Sequence, residues 1–439
     1  MLKTRRASGR EVFSWSLYDF ANSAFATTIL AVIFNRYYAG VVAGGEDGVA
    51  VSWFGETLQV PGTTMFTYAV TLSMILVAVS APILGAWADA RAAKKRFLAV
   101  YVTLGVLATA MLGTAGEGEW LGAGLWFVLA NFAFAGGNVF YNAFLPELAD
   151  PDEMGRVSGF GWGFGYLGGG VLLAINLLML EMPGMFGFEE GELTVQHTFI
   201  SVAIWWAVFS FPFFMNVRER AVPVSQTFLD GAKESVQRLR STLGRVREHK
   251  QLWRFLLAYL FFNDGIETVI LMAAIYGDQE LGMGQGLLVM FFLLIQFTAF
   301  GGSLLFGKIS TKIGVKPALM LSLGIWCLVV VDAFFIGWTG YPITEYFVLG
   351  VVAGLVMGAS QMLARTMQGL FTPPEREAEF FGFFAVSGRF ASVLGPLTFG
   401  IMVAITGSLR YAILSVIGFF LLGLLLLSWV RAPRTRLSR

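Results

Sequence analysis

Apolar residues run along this chain in long blocks. A helix that crosses a bilayer core needs about 20 mostly apolar residues. Twelve blocks reach that length, at roughly 13–38, 64–88, 97–115, 121–146, 157–180, 196–215, 253–277, 284–307, 317–338, 343–370, 378–405 and 409–430. Short polar turns separate most of them. About 20 residues, Gly40 to Gly62, follow span 1, and about 36, Asn216 to Gln251, separate spans 6 and 7. The pattern predicts an all-α polytopic membrane protein with twelve transmembrane helices. The first block follows Lys3, Arg5, Arg6 and Arg10, as a secretory leader would. It is too long for a leader's apolar core, so it reads as a retained span.

Composition narrows the function classes. Hydrophobic residues make up 56% of the 439 and charged residues only 13%, against about 25% charged in ordinary soluble domains. A soluble fold has no interior large enough for so much apolar surface. A cytosolic enzyme, a disordered chain and a secreted disulfide scaffold are thereby excluded. The single Cys327 cannot staple the chain, and His197 and His249 stand too far apart in sequence for a Cys/His metal motif. No nucleophile–base set lies within a span, so no enzyme activity, cofactor or nucleic-acid partner is expected.

The net charge of +1 hides an asymmetry. An even number of spans leaves both termini on one side. The loops on that side hold Arg91, Lys94, Lys95 and Arg96, the basic run from Arg218 to Lys250, Lys308, Lys312, Lys316 and the Arg-rich tail. The opposite loops hold Glu46, Asp47, Glu117, Glu119, Glu189, Glu190, Glu192 and Asp278, with Arg410 as the exception. The positive-inside rule then places both termini in the cytoplasm, and in a bacterium the membrane is the plasma membrane.

The long middle loop divides the chain into an N-terminal six-helix bundle (1–215), a linker (216–252) and a C-terminal six-helix bundle (253–439). The halves echo each other. Gly85 and Gly307 end spans 2 and 8 at an offset of 222, and Pro151 and Pro374 precede spans 5 and 11 at an offset of 223. At the latter offset Asn138 matches Gln361, and Asn142 matches Arg365. Parallel six-span repeats characterise one class of secondary transporter, whose substrate site lies between them near the midplane. In the linker Phe228, Ala232, Val236, Leu239, Leu243 and Val246 recur at helical spacing among arginines. This predicts a basic amphipathic helix on the membrane surface or under the bundles; a solvated linker with some helicity is the alternative.

Three stretches carry a family resemblance. Ser14-Trp15-Ser16-Leu17-Tyr18-Asp19-Phe20-Ala21-Asn22-Ser23 resembles the first-span signature of the "unknown major facilitator" branch of the major facilitator superfamily, which includes the autophagy-linked vacuolar amino-acid effluxers. Arg156 to Gly170 and Arg376 to Gly382 with Gly395-Pro396 are similar to other parts of that branch, as are Asp264-Gly265 and Ile275-Tyr276-Gly277. The resemblance implies two pseudo-symmetric bundles, with spans 1, 4, 7 and 10 lining a central cavity and spans 7 and 11 as neighbours. It also implies a gating motif after span 2. Gly85 and Asp89 match that motif, but Ala90 stands where an Arg is usual, and Arg91 and Lys94 supply charge at shifted positions. The latch is therefore expected to be weaker or differently paired. Thr311 stands where the second half would carry an Asp.

Ionisable residues inside a bilayer cost about 2.5–3.5 kcal/mol each on insertion scales, so each is a functional candidate. Asp19, Asp264, Glu267, Asp332, Arg365 and Arg389 fall within spans. Asp264 and Glu267, three apart, share a helix face, and two close carboxylates suit a proton carrier. Asp19, Asp264 and Glu267 are therefore expected to handle a coupling proton or a substrate ammonium. The competing reading is an ion pair or hydrogen bond that fixes span packing. Arg389 either neutralises the span-7 acids or binds a substrate carboxylate through its planar fork. Arg365 reads as a gate residue or a group reaching to the interface, and Asp332 as interfacial. Asn131, Asn138 and Asn142 form one face of span 4 beside Tyr141, and Gln361, Arg365 and Gln368 form a similar stripe on span 10. With Asn22 these are read as cavity lining, and otherwise as helix–helix glue. Gly163-x-Gly165-x-x-Gly168 imitates a dinucleotide fingerprint but has no preceding strand; the glycines of this run let helices approach closely.

Together these readings predict a secondary transporter that works by alternating access. It would move a small polar solute such as an amino acid, with protons as a coupling option. It would work as a monomer among membrane lipids. Flux of a lipophilic solute, or a non-transporting sensor of the same fold, are the alternatives.

Overall fold

A computed structural model describes residues 7–53, 56–221, 249–390 and 394–433. Among these, twelve helices are long and apolar enough to cross a membrane. In chain order they are span 1 (Gly9–Val42), 2 (Gly62–Arg91), 3 (Lys94–Thr114), 4 (Trp120–Leu148), 5 (Met154–Glu181), 6 (Val195–Asn216), 7 (Lys250–Glu280), 8 (Gln285–Ile313), 9 (Val315–Phe334), 10 (Pro342–Phe371), 11 (Glu377–Thr406) and 12 (Leu409–Ser428). The chain is a multi-pass integral membrane protein. The basic amphipathic helix expected over 228–246 lies outside the described residues.

Local chemistry sets the span ends. Span 1 starts at a capping box, in which Glu11 N donates to Ser8 Oγ (3.2 Å) and Ser8 N donates to Glu11 Oε2 (2.9 Å). Span 2 stops at Ala92, whose φ of +48° turns the chain out of the helix. Two loop expectations change. Span 1 runs on to Val42 through two π-helical stretches, Phe25–Val32 and Tyr38–Val42. The rest of the expected loop holds an antiparallel hairpin of Val49–Trp53 and Glu56–Val60, with Val49 opposite Val60. Lipid gives no hydrophobic drive for helices to associate, so packing rests on small residues and on polar contacts. Apolar side chains such as Val100, Leu107 and Leu328 accordingly stay exposed on the outer surface.

Two pairs of spans carry most of the packing between the first six and the last six. Span 5 packs on span 8. A Cβ on Gly159 would lie 2.5 Å from Ser303 O, and one on Gly155 would lie 3.2 Å from Ser310 Cβ. Span 2 packs on the first segment of span 11, where a Cβ on Gly85 would lie 2.4 Å from Ala378 O. The second segment of span 11, Leu394–Thr406, packs instead on spans 7 and 12. Among the described residues, the hydrogen bonds and ion pairs that join the halves all lie between the terminus-bearing face and the level of Asp19. The halves are sealed on the side of the termini and lack such bonds on the other.

Candidate functional site

The seal has two layers. The outer one is the gating motif. Asp89 sits at the start of span 11 and accepts from Ala378 N (3.0 Å) and Glu379 N (2.8 Å). A carboxylate there satisfies helix N–H groups that would otherwise lack partners and faces the positive end of the helix dipole. Lys94, with no exposed surface, pairs with Glu147 of span 4 and with Glu377 of span 11 (3.2 Å). Of the shifted cations that could replace the Arg missing at position 90, Lys94 is the one that bridges the halves. Gly85 admits the span 11 backbone. Behind this layer the linker's first residues fold against the first half. Glu219 accepts from Lys94 N (2.7 Å) and Lys95 N (3.2 Å), and Arg220 pairs with Glu11 (3.0 Å).

The inner layer is built on Arg365, which is 1% exposed. It does not reach the interface. Its Nη1 donates to Asp19 Oδ2 (3.0 Å) and to Asn142 Oδ1 (3.1 Å). Its Nε donates to Ser158 Oγ (3.0 Å) and its Nη2 to Ser158 O (2.7 Å). The guanidinium carbon lies 4.9 Å from the Trp15 ring centroid, 5.3 Å from that of Trp162 and 5.7 Å from that of Tyr141. Tyr141 donates to Asp19 Oδ2 (2.9 Å), and Trp15 Nε1 donates to Tyr141 O (3.1 Å). Gly161 makes this possible, since a Cβ there would fall 2.6 Å from the Trp15 ring and 2.9 Å from Arg365 Nη2.

Above this layer lies a cavity of about 270 Å³. Its walls come from the π-helical part of span 1 (Thr27, Ala31), span 5 (Trp162, Tyr166), span 7 (Ile270, Tyr276), span 8 (Phe291, Gln296) and span 10 (Tyr346, Gln361). Tyr166 lies within electrostatic reach of Asp19, Arg365 and Glu267. Glu267 and Arg389 are half-buried opposite charges that act on each other and on Tyr259. No ion pair within 4.0 Å and no hydrogen bond joins Glu267 to Arg389.

The structure sorts the other expected residues. The two span-7 carboxylates meet different partners, and neither is among the residues lining the cavity. Asp264 is fully buried and accepts from Gly395 N (2.9 Å), tying span 7 to the second segment of span 11. Its other oxygen has no hydrogen-bond partner. The span 4 stripe is spent on helix contacts: Asn131 donates to Ser73 Oγ (2.7 Å), Asn138 accepts from Asn22 Nδ2 (2.7 Å), and Asn142 meets Arg365. Gln368 donates to Phe380 O (2.9 Å), while Gln361 remains on the cavity wall. Sequence reasoning singled out neither Tyr166, Tyr259 and Trp162 nor the role of Trp15. Trp162 and Tyr166 are four apart within a run of glycines, which is the one signal that pointed to them.

The family described as "Vacuole effluxer Atg22 like" matches residues 7–438. The uncharacterized MFS-type transporter YxiO of Bacillus subtilis is 31% identical over 95% of this chain and 94% of its own. The chain belongs to the Atg22-like family. Autophagy-related protein 22 of Candida glabrata is 22% identical over 97% of this chain and 89% of its own. The major facilitator transporter FucP, solved in the outward conformation, superposes with a TM-score of 0.72 at 11% identity, covering 96% of this chain and 99% of its own. The fold is that of the major facilitator superfamily. In this Atg22-like chain the first-span signature faces the protein interior. Trp15, Tyr18, Asp19 and Asn22 are all buried toward spans 4, 5 and 6.

Proposed function

We propose that this chain is a secondary active transporter that moves an amino acid or a similar small zwitterion by alternating access, coupled to protons. Glu267 and Arg389 carry the reading. Two opposite charges lie near mid-span, half-buried and without hydrogen bonds to each other. Leaving such groups in apolar surroundings is costly unless a ligand completes them. A zwitterion offers an ammonium to Glu267 and a carboxylate to the Arg389 fork. Tyr166, Tyr259 and Gln361 are the neutral groups at hand. Asp19 and Glu267 handle the coupling proton or the solute's ammonium in this reading, and Asp264 keeps span 11 in place.

The basic loops support a cytoplasmic position for the terminus-bearing face. The state seen here is then outward-open, sealed inside by Lys94, Asp89 and Arg365. Residues 1–215 and 253–439 are the two units that rock, 216–252 links them, and the transporter works as a monomer. Uptake and counterflow in proteoliposomes over a panel of amino acids, with and without a pH gradient, test this. Movement of at least one amino acid, faster with an inward proton gradient, is expected; none moving at any pH would end the zwitterion reading.

One observation favours a second reading. Apolar and aromatic side chains, among them Tyr276, Phe291, Trp326, Val330 and Tyr346, make up most of the cavity lining, while the asparagine stripe is occupied elsewhere. That lining suits a lipophilic solute, or a zwitterion with a large apolar side chain. Including leucine, phenylalanine and an amphiphilic dye in the panel separates the two.

A further inference from the structure

Every group that holds Arg365 belongs to the first half: Asp19 and Trp15 on span 1, Tyr141 and Asn142 on span 4, Ser158 and Trp162 on span 5. Arg365 alone comes from the second half. The first half thus carries a complete cation receptor, with one carboxylate, an amide oxygen, a hydroxyl and a main-chain carbonyl inside three aromatic faces. Such cages bind ammonium and guanidinium groups. The receptor also adjoins the cavity. Trp162 forms a wall of both, and its Nε1 is buried without a hydrogen-bond partner. Gln361, on the cavity wall, lies one helical turn from Arg365 on span 10.

Alternating access must pull Arg365 out of this receptor, because the halves part on the terminus-bearing side when the molecule turns. Asp19 then keeps only Tyr141 as a hydrogen-bond partner. A carboxylate at that depth needs a replacement cation. We propose that the Trp15–Tyr141–Trp162–Asp19 cage is a binding site for the ammonium or guanidinium of the transported solute, which Arg365 fills as a tethered stand-in while the terminus-bearing side is closed. Solute descending from the cavity past Trp162 displaces Arg365 and so unseals the halves. The inference rests on the alternating-access part of the proposed function and adds which end of the solute opens the seal.

The test uses the full chain with Cys327→Ser and Ser310→Cys. Position 310 is buried in the span 5–span 8 seam, so its labelling by a maleimide reports opening. Ethylguanidinium and n-butylammonium are titrated, with butyramide as the neutral control. Both cations are expected to raise the labelling rate saturably, roughly tenfold at saturation, and butyramide to leave it unchanged. With Asp19→Asn added, labelling should start high and ignore the cations. A second arm uses purified Arg365→Ala, whose thermal unfolding should rise with ethylguanidinium and not with butyramide. If that variant does not fold, the labelling arm stands alone, since it keeps Arg365. Labelling indifferent to both cations, or acidification alone opening the seam as fully as the cations do, overturns the proposal. Amino-acid uptake with an unresponsive seam would sink the cage and leave the transport reading intact; a responsive seam without any uptake would do the reverse.

Discussion

Two pairs of opposite charges lie within the spans and are held differently. Asp19 and Arg365 are almost wholly buried and share an ion pair with several further hydrogen bonds. Removing one partner of such a pair strands the other, at about 3–5 kcal/mol. Arg365→Met is therefore expected to lower thermal stability in detergent strongly, and Arg365→Met with Asp19→Asn to recover part of that loss. A double variant no more stable than the single would show that the pair does not act as a unit. Glu267 and Arg389 carry no such network. Glu267→Gln and Arg389→Ala, alone and together, should leave the melting temperature nearly unchanged and abolish uptake of the solute found in the proteoliposome panel. Transport at the wild-type rate in all three would remove both residues from the mechanism. The charged members were legible as charges within apolar blocks. Trp15, Trp162, Tyr166 and Tyr259 were not, because 15% of this chain is aromatic and an aromatic residue in a span most often faces lipid or a neighbour.

The helices meet where side chains are missing. A Cβ on Gly168 would fall 2.1 Å from Phe20 O, on the backbone of span 1. Backbone cannot yield as a flexible side chain can, so Gly168→Ala should force spans 1 and 5 apart. The cost of overpacking, about 1–3 kcal/mol, should appear as reduced folded yield and a lower melting temperature. Span 11 depends on Asp89 at its N-terminus. Asp89→Ala removes a cap worth about 1 kcal/mol from the sealed state alone, and labelling at Ser310→Cys should rise several-fold. Unchanged labelling would mean that Lys94 with Glu147 and Glu377 closes this layer unaided. The sequence marked Gly85 and Asp89 through the motif and left the cation open among shifted candidates. Lys94 has the role because it begins span 3 beside Glu147, which is a matter of how two helix ends meet.

For the whole molecule, the seam between spans 5 and 8 offers a lock. The Cβ positions at 155 and 310 lie 3.2 Å apart, near the mean of about 3.8 Å in disulfides. Gly155→Cys with Ser310→Cys, in a Cys327→Ser background, should cross-link on oxidation, stop counterflow, and recover on reduction. Full counterflow in the cross-linked protein would mean that this seam does not open during transport.

The sequence by itself determined the twelve spans, the charge asymmetry of the loops, the family, and which charges lie at membrane depth. These follow from composition along one dimension, because bilayer thickness sets the length of every apolar block and the cost of every charge within it. Only the tertiary structure decided what those charges do. Asp264 and Glu267 share a helix face yet answer to different neighbours, one to Gly395 and the other to Arg389. Arg365, near a span end in sequence, is enclosed because six residues from three other spans converge on it. Periodicity tells which way a side chain leaves its own helix; what it meets depends on the helix packed opposite, often hundreds of residues away.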